Sequence, residues 1–402
     1  MNKQRKLFFD ILIVMKKIQV LPRAAKKLRN GYPLILADDI AGNVPDDDFI
    51  AIYDGKNFLG NGYLSKQNKG IGWLLTNRDE PINQDFYAVK FDQAKKRRAN
   101  FYTDDLTTAF RIFNGEGDEI GGLTIDLYEK FAVISWYNEF IYRQKSEILA
   151  AFRQIFPEIL GIYEKVRFQS NLTESQHIFG QIAPEPLIIT ENGVKYATYL
   201  NEGLMTGIFL DQKNVRNELV NGLAAGKTLL NMFSYTGAFS VAAAFGGSSQ
   251  TTSVDLAKRS LEKTQEQFAV NGIEPETQKI YVMDVFGYFN YAKKKNLAYD
   301  VIVLDPPSFA RNKKKTFSVA KNYGELVEES VDILSKNGIL IASTNAANVS
   351  KTKFRQMVEA ALTKKSVKFD IYHEENLPAD FHVSEKFPDG DYLKVLFIKI
   401  KK

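Results

Sequence analysis

The chain has 402 residues, 45% hydrophobic and 25% charged, and its 53 Lys and Arg against 48 Asp and Glu give a formal charge of +5. That length exceeds what one core fills, so two or three globular domains are expected, and so mild a charge does not by itself name a nucleic-acid partner. Zero cysteines exclude disulfides, cysteine-ligated metal and a thiolate nucleophile, and the three scattered histidines (His177, His373, His382) predict no metal site.

The opening "MNKQRKLFFDILIVMKK" starts basic and apolar, as a signal peptide does. Its apolar stretch is short, Asp10 interrupts it, and no small-residue cleavage site follows. It is also too short to span a bilayer. Residues 1–17 are therefore read as an N-terminal extension, with a start at Met15 as the alternative. A cytoplasmic protein with no membrane partner is expected.

Residues 18–90 carry short apolar runs between glycine turns ("YPLILADDI", "DFIAIYDG", "NFLGNGYL", "GIGWLLTN"), which predict a small β-rich module. "RAAKKLRNG" predicts a helix bearing Arg23, Lys26, Lys27 and Arg29 and stopped by Gly31; on these residues alone it is a solvated face. "DQAKKRRAN" reads as a basic linker or the start of a helix. Residues 91–200 read as a small α+β domain. It has strands in "AFRIFNGEGDEIGGLTIDLY" and "KFAVISWY", and a helix in "RQKSEILAAFRQIF" with Ile148, Leu149, Phe152 and Phe156 at helical spacing. "LIITENGVKYATYL" predicts a hairpin around Asn192-Gly193.

From 201 to 402 the pattern becomes strand–helix alternation. Strands are predicted at "TLLNMF", "TTSVDL", "KIYVMD", "DVIVLD", "GILIAST", "VKFDIYH" and "YLKVLFIKI". Helices are predicted over 319–334, stopped by Gly338, and over 351–365. This is the signature of a doubly wound α/β sheet, in which ligands sit beyond the C-terminal strand ends.

Four of these strand ends suit one adenosine-containing ligand. "LLNMFSYTGAFSVAAA" is strand, glycine-bearing turn and small-residue helix, so Gly237 permits close approach and the helix N-terminus favours an anion. Asp255, eighteen residues after Gly237, can accept from ribose hydroxyls, and Asp284 can accept from an adenine amino group. Each has a plainer reading, as a turn or a helix cap. A nicotinamide site is disfavoured because G-x-G-x-x-G is missing. The fourth end is "LDPPSFARNKKK": the prolines fix the backbone after Asp305, which can accept from a planar base while Phe309 stacks on it, and Lys313, Lys314 and Lys315 suit phosphates. The competing reading is a strand-end turn with a solvated lysine run.

These motifs, with "MTGIFLDQKNVR", "SVDLAKRSLEKTQEQFAVNG", "DVF" and "FPDGDYLKVL", resemble the bacterial 23S rRNA methyltransferases that carry an N-terminal PUA domain. The resemblance covers nearly the whole chain. It implies a β-rich PUA-like RNA-binding domain, the small α+β domain, and a Rossmann-like class I catalytic domain that uses S-adenosyl-L-methionine. It implies that Phe233, Ser234, Tyr235, Thr236 and Gly237 line the methionine part of the cofactor. Asp255 would hold its ribose and Asp284 with Val285 its adenine, with Asp211 and Gln212 beside it. Asp305, Pro306, Pro307 and Phe309 would face the substrate base. Arg23, Lys26, Lys27 and Arg29 would contact RNA.

Relatives that make 5-methylcytosine are expected to carry Ser-Cys-Ser after the fifth strand, where this chain has Asn345 at the cysteine position. Cytosine C5 needs such a thiolate, whereas a base nitrogen attacks with its own lone pair. The expected activity is thus direct methyl transfer to a base nitrogen of 23S rRNA, free or in an assembling large subunit, with a homodimer left open. The alternatives are 5-methylcytosine formation without a cysteine, a non-catalytic ribosome-assembly factor, and a small-molecule or DNA methyltransferase.

Overall fold

The computed structural model describes residues 15–67, 69–311 and 316–401. The predicted extension, apart from residues 15–17, and the lysines at 313, 314 and 315 lie outside the described residues.

The N-terminal sheet has five strands, in the order Lys16–Gln19, Phe49–Asp54, Asn57–Leu64, Gly72–Thr76, Leu34–Ile35. The helix Pro22–Arg29 buries Ala24, Ala25 and Leu28 against it and turns its basic residues outward. A second helix, Gln84–Arg97, runs unbroken across residues 90 and 91, so "DQAKKRRAN" is mostly a helix end and not a linker or a helix start. Its N-cap is Asn83, whose side chain accepts from the Phe86 N–H at 3.1 Å, and it buries Phe86, Tyr87, Phe91 and Ala94.

The central sheet follows the order Ser175–Gly180, Gly161–Val166, Phe131–Trp136, Leu123–Tyr128, Ala109–Asn114. The predicted helix forms as Lys145–Ile155, preceded by a short helix, Glu139–Arg143, that was not predicted. Phe49, Tyr63 and Trp73 of the first sheet share one apolar core with Phe110, Ile134 and Phe152, so the two N-terminal parts pack as neighbours. The expected hairpin forms from Leu187–Glu191 and Val194–Thr198, with Asn192 and Gly193 at φ 52° and 79°.

The C-terminal sheet has seven strands: β1 (Thr228–Met232), β2 (Gln250–Asp255), β3 (Lys279–Val282), β4 (Tyr299–Leu304), β5 (Leu334–Thr344), β6 (Lys368–Glu375) and β7 (Lys394–Lys401). Their order is β3-β2-β1-β4-β5-β7-β6, with β7 antiparallel to both neighbours. Successive residues of β4 serve opposite faces: Ile302 and Leu304 join one core with Val327 and Val358, and Val301 and Val303 join the other with Leu229 and Phe397. A strand covered on both faces must be apolar throughout, which explains "VIVL". The helix Val319–Ile333 ends before Gly338, because buried Leu334 already pairs with Tyr299 as the first residue of β5. Among the described residues no helix is long and apolar enough to cross a membrane.

The candidate active site

Strands β1 and β4 are neighbours in space, yet β2 and β3 leave β1 in the opposite direction. Ligand crevices open at such a switch point. A cavity of about 500 Å³ lies there, within the usual range for small-ligand sites.

The turn after β1 makes one wall. Phe233, Tyr235 and Gly237 all have left-handed backbone, with φ of 60°, 52° and 82°. Two non-glycine residues in that region are a local strain that the surroundings must hold. They are held by the Tyr235 N–H donating to Asp255 Oδ2 at 2.9 Å, the Ser234 N–H donating to the Val254 carbonyl at 3.0 Å, and Thr236 Oγ1 donating to the Gly207 carbonyl at 2.6 Å. Phe233, Ser234, Tyr235 and Thr236 line the cavity; Gly237 does not. A Cβ on Gly237 would lie 2.5 Å from Thr264 Cγ2, so this glycine admits the neighbouring helix Ser260–Ala269 and shapes the turn.

Asp255 and Asp284 line the next wall, with Leu256, Val285 and Phe286 supplying apolar surface. Asp284 is both helix cap and wall, because its Oδ1 accepts from the Gly287 N–H at 3.1 Å. Asp255 accepts one N–H on each oxygen, from Tyr235 at 2.9 Å and Ala257 at 2.8 Å. A carboxylate has about four lone-pair directions, so both oxygens keep one for paired hydroxyls. Phe317 stands 6.1 Å from Phe233 and 6.4 Å from Phe286 between ring centroids.

The floor is charged. Asp305, half-buried at the end of β4, accepts from Gln212 Nε2 at 3.0 Å, and the same amide donates to Ser343 Oγ at 2.8 Å. Burial pushes the Asp305 carboxyl up to about 6, with nearby Asp211 adding to the rise and hydrogen bonds from Ser343 and Gln212 opposing it. Burial likewise raises Asp211, whose Oδ2 accepts from the Tyr392 hydroxyl at 2.9 Å. Gln212 Oε1 is buried and has no hydrogen-bond partner among the described residues. A buried acceptor without a partner is costly, which points to a donor on a bound molecule, such as an ammonium. Beyond Asp305, Pro306 and Pro307 line the cavity, and Ser308 Oγ donates to Asn345 Oδ1 at 3.1 Å. Phe309 is 61% exposed and off the cavity wall.

Residue reading missed Met205, Phe209, Arg259, Phe286, Phe317 and Ser343. Phe286 had a local signal, since it follows Asp284-Val285 in "MDVF". Phe317 had none, because only the antiparallel pairing of Phe309–Arg311 with Thr316–Ser318 folds it back. On the predicted RNA-contacting helix, Lys27 pairs with Asp39 at 2.5 Å, Arg29 pairs with Asp54, and Arg23 donates to the Asp38 carbonyl at 2.7 Å. Lys26 is exposed.

An open sheet of this order, with an acidic residue ending β2 and others just after β3 and β4 around an adenosine-sized crevice, defines a Rossmann-like methyltransferase. A family model described as S-adenosylmethionine-dependent methyltransferase matches residues 173–394, and one described as PUA-like domain matches residues 18–77. The chain belongs to the S-adenosylmethionine-dependent methyltransferase family and carries a PUA-like domain. It is 46% identical to YwbD of Bacillus subtilis, named as a candidate ribosomal RNA large subunit methyltransferase, over 96% of this chain and 100% of that protein. It is 29% identical to the ribosomal RNA large subunit methyltransferase I of Aeromonas salmonicida, over 94% of this chain and 97% of that one. The solved structure of SMU.776, described as a candidate methyltransferase in complex with SAH, superposes with a TM-score of 0.92 at 49% identity, covering 96% of this chain and 100% of that one.

S-adenosylmethionine is thus the cofactor, and the residues present fit it. Asp255 has capacity for the ribose hydroxyls, the β3 end offers a carboxylate beside an apolar wall, and Gln212 offers an unpaired acceptor.

Proposed function

We propose that this methyltransferase acts on large-subunit ribosomal RNA, 23S rRNA, and methylates a base at a nitrogen. The observation that carries this reading is Asp305, a half-buried carboxylate held near pKa 6 on the cavity floor, in a chain with zero cysteines. A carboxylate in that place accepts from the N–H edge of a base. A C5 carbon would need a thiolate that this chain lacks. The PUA-like domain and the names of the relatives support RNA, and ribosomal RNA in particular, as the substrate. Such a substrate places the protein in the cytoplasm.

When bound, S-adenosylmethionine supplies an electrophilic sulfonium methyl and leaves as S-adenosylhomocysteine. The chain's own contribution is placement and proton handling. Gln212 and Ser343 fix the Asp305 carboxylate, and Pro306 and Pro307 limit the backbone that follows it. Asp305 then accepts a hydrogen bond from the base N–H, orients the nitrogen lone pair, and takes the proton as the N–C bond forms. A group with pKa about 6 is ionised at neutral pH and is more basic than an ordinary carboxylate, as this role requires.

Transfer of isotope-labelled methyl to unmodified 23S rRNA tests the assignment. Wild type should label the RNA, and Asp305→Asn should lose roughly 100-fold or more of the rate while still binding S-adenosylhomocysteine. Full activity in that variant would remove Asp305 from the reaction. No label on free rRNA or on large subunits would remove ribosomal RNA as the substrate.

A further inference from the structure

A second cavity, of about 340 Å³, opens beside the first and shares Phe209, Asp211, Tyr235 and Asn345 with it. Its far wall belongs to the central sheet and carries Lys165, Arg167 and Tyr137. Elsewhere, deeply buried cations meet buried carboxylates: Arg98 with Asp118, Arg216 with Glu191, Lys213 with Asp380. Lys165 and Arg167 have neutral partners only among the described residues. Lys165 Nζ donates to Ser175 Oγ at 2.7 Å and to the Gly203 carbonyl at 2.5 Å. Arg167 donates from Nε to Ser135 Oγ at 3.2 Å and from Nη2 to the Leu204 carbonyl at 2.8 Å.

A guanidinium has five N–H donors, of which these bonds use two among the described residues, and Arg167 lines the cavity. Burial and the adjacent Arg167 charge pull the Lys165 ammonium down to about 8, outweighing Glu174 and Glu202. Two like charges held together with no carboxylate in hydrogen-bond contact among the described residues are costly, and an arriving anion lowers the cost. Tyr137 is 40% exposed, and its ring centroid lies 5.9 Å from the Arg167 guanidinium carbon. Tyr137, Arg111 and Tyr392 also line a third cavity that reaches Lys69 and Trp73 of the N-terminal module. Shared lining residues therefore link cavities from that module to the methyl-transfer site.

We propose that Arg167 and Lys165 form a phosphate subsite that holds the RNA backbone next to the nucleotide being methylated, with Tyr137 as the stacking face for the adjoining base. The proposal rests on the reading that the substrate is RNA. It assigns the central domain a direct part in substrate placement. The same two side chains also tie down the 203–209 loop, whose Met205, Ile208 and Phe209 line the methyl-transfer cavity. A purely structural role for them would therefore show in cofactor binding.

The test uses the full chain and a labelled oligouridylate, with affinity measured by fluorescence anisotropy across a range of KCl concentrations. S-adenosylhomocysteine affinity is measured by calorimetry, and methyl transfer to a 23S rRNA transcript is followed in parallel. Each phosphate contact on a single strand contributes about 0.7 to the slope of log affinity against log salt. Arg167→Gln should lower the slope by about 0.7 and leave S-adenosylhomocysteine affinity unchanged, while Arg167→Lys keeps the wild-type slope. The proposal is overturned if wild type does not bind the oligouridylate. It is equally overturned if the Gln variant keeps the slope, with or without weaker S-adenosylhomocysteine binding. If the slope falls as stated and wild type leaves the 23S transcript unlabelled, the subsite stands and the ribosomal substrate assignment fails.

Discussion

Asp305 should cost the fold stability in the pH range where it works. Its carboxyl rises from the ordinary 3.8 to about 6 in the folded chain, which corresponds to roughly 3 kcal/mol of disfavoured ionisation at most. The sign follows from the raised value. Below the unfolded pKa, about 4, both states are protonated and no penalty exists; as pH rises through about 6 the folded state must carry the charge and loses that stability. Asp305→Asn removes the ionisation but keeps the shape, and it alters the Gln212 hydrogen bond, whose loss offsets about 1 kcal/mol. The net gain at pH 8 is then about 2 kcal/mol, or roughly 4–8 °C in the melting temperature of a domain of about 200 residues. The assay is thermal unfolding of wild type and variant at several pH values between 4 and 8. The variant should melt higher at pH 8, and near pH 4, where no penalty exists, it should lose that advantage and melt slightly lower by the weakened Gln212 hydrogen bond. An equal difference at all pH values, or a variant that melts lower at pH 8, would refute a strained carboxylate on the cavity floor.

Gly237→Ala puts a methyl against Thr264 at φ 82° and should destabilise the protein by roughly 1–3 kcal/mol; adding Thr264→Ala should recover only the steric part, as read by thermal melts. Asp255→Ala should weaken S-adenosylhomocysteine binding about 10- to 100-fold in calorimetry, the worth of one charge-assisted hydrogen bond or more. Arg216→Met strands the Glu191 carboxylate, which is 1% exposed and held by Arg216 at 2.6 and 2.8 Å. It should cost roughly 3–5 kcal/mol in denaturant unfolding, and Glu191→Gln in the same chain should restore part of it.

The α/β part of the fold was legible because β1, β4 and β5 are buried on both faces, and such strands must read as apolar runs ending in turn or acidic residues. Asp305 was legible for the same reason, because the apolar run "VIVL" gives way to Asp at the strand end, whereas Asp255 and Asp284 close the mixed runs "TTSV" and "KIYVM" and were legible from their place in the strand–helix alternation. What stayed hidden depends on distant partners. The helix Gln84–Arg97 buries Phe86, Tyr87 and Phe91 against a core drawn from two sheets, and its C-terminal charges mask that face in a local window. Gly237 was read as making room for a ligand, whereas the space it leaves is filled by Thr264 from the next helix. Gln212 lacks any local sign of its position, because Asp305 and Ser343, its two partners, lie 93 and 131 residues away. Lys165 and Arg167 alternate on one strand and its extension like ordinary surface charges, and only the folded chain closes a cavity over them.

Mass-spectrometric nucleoside analysis tests the central claim most directly. The substrate would be 23S rRNA from a deletion strain of the host, as free RNA and as large subunits, treated with the purified chain and isotope-labelled S-adenosylmethionine. The account predicts labelled N-methyl nucleoside, such as N-methylguanosine, at one position. Labelled 5-methylcytidine would contradict it, and would mean that carbon methylation proceeds here without a thiolate.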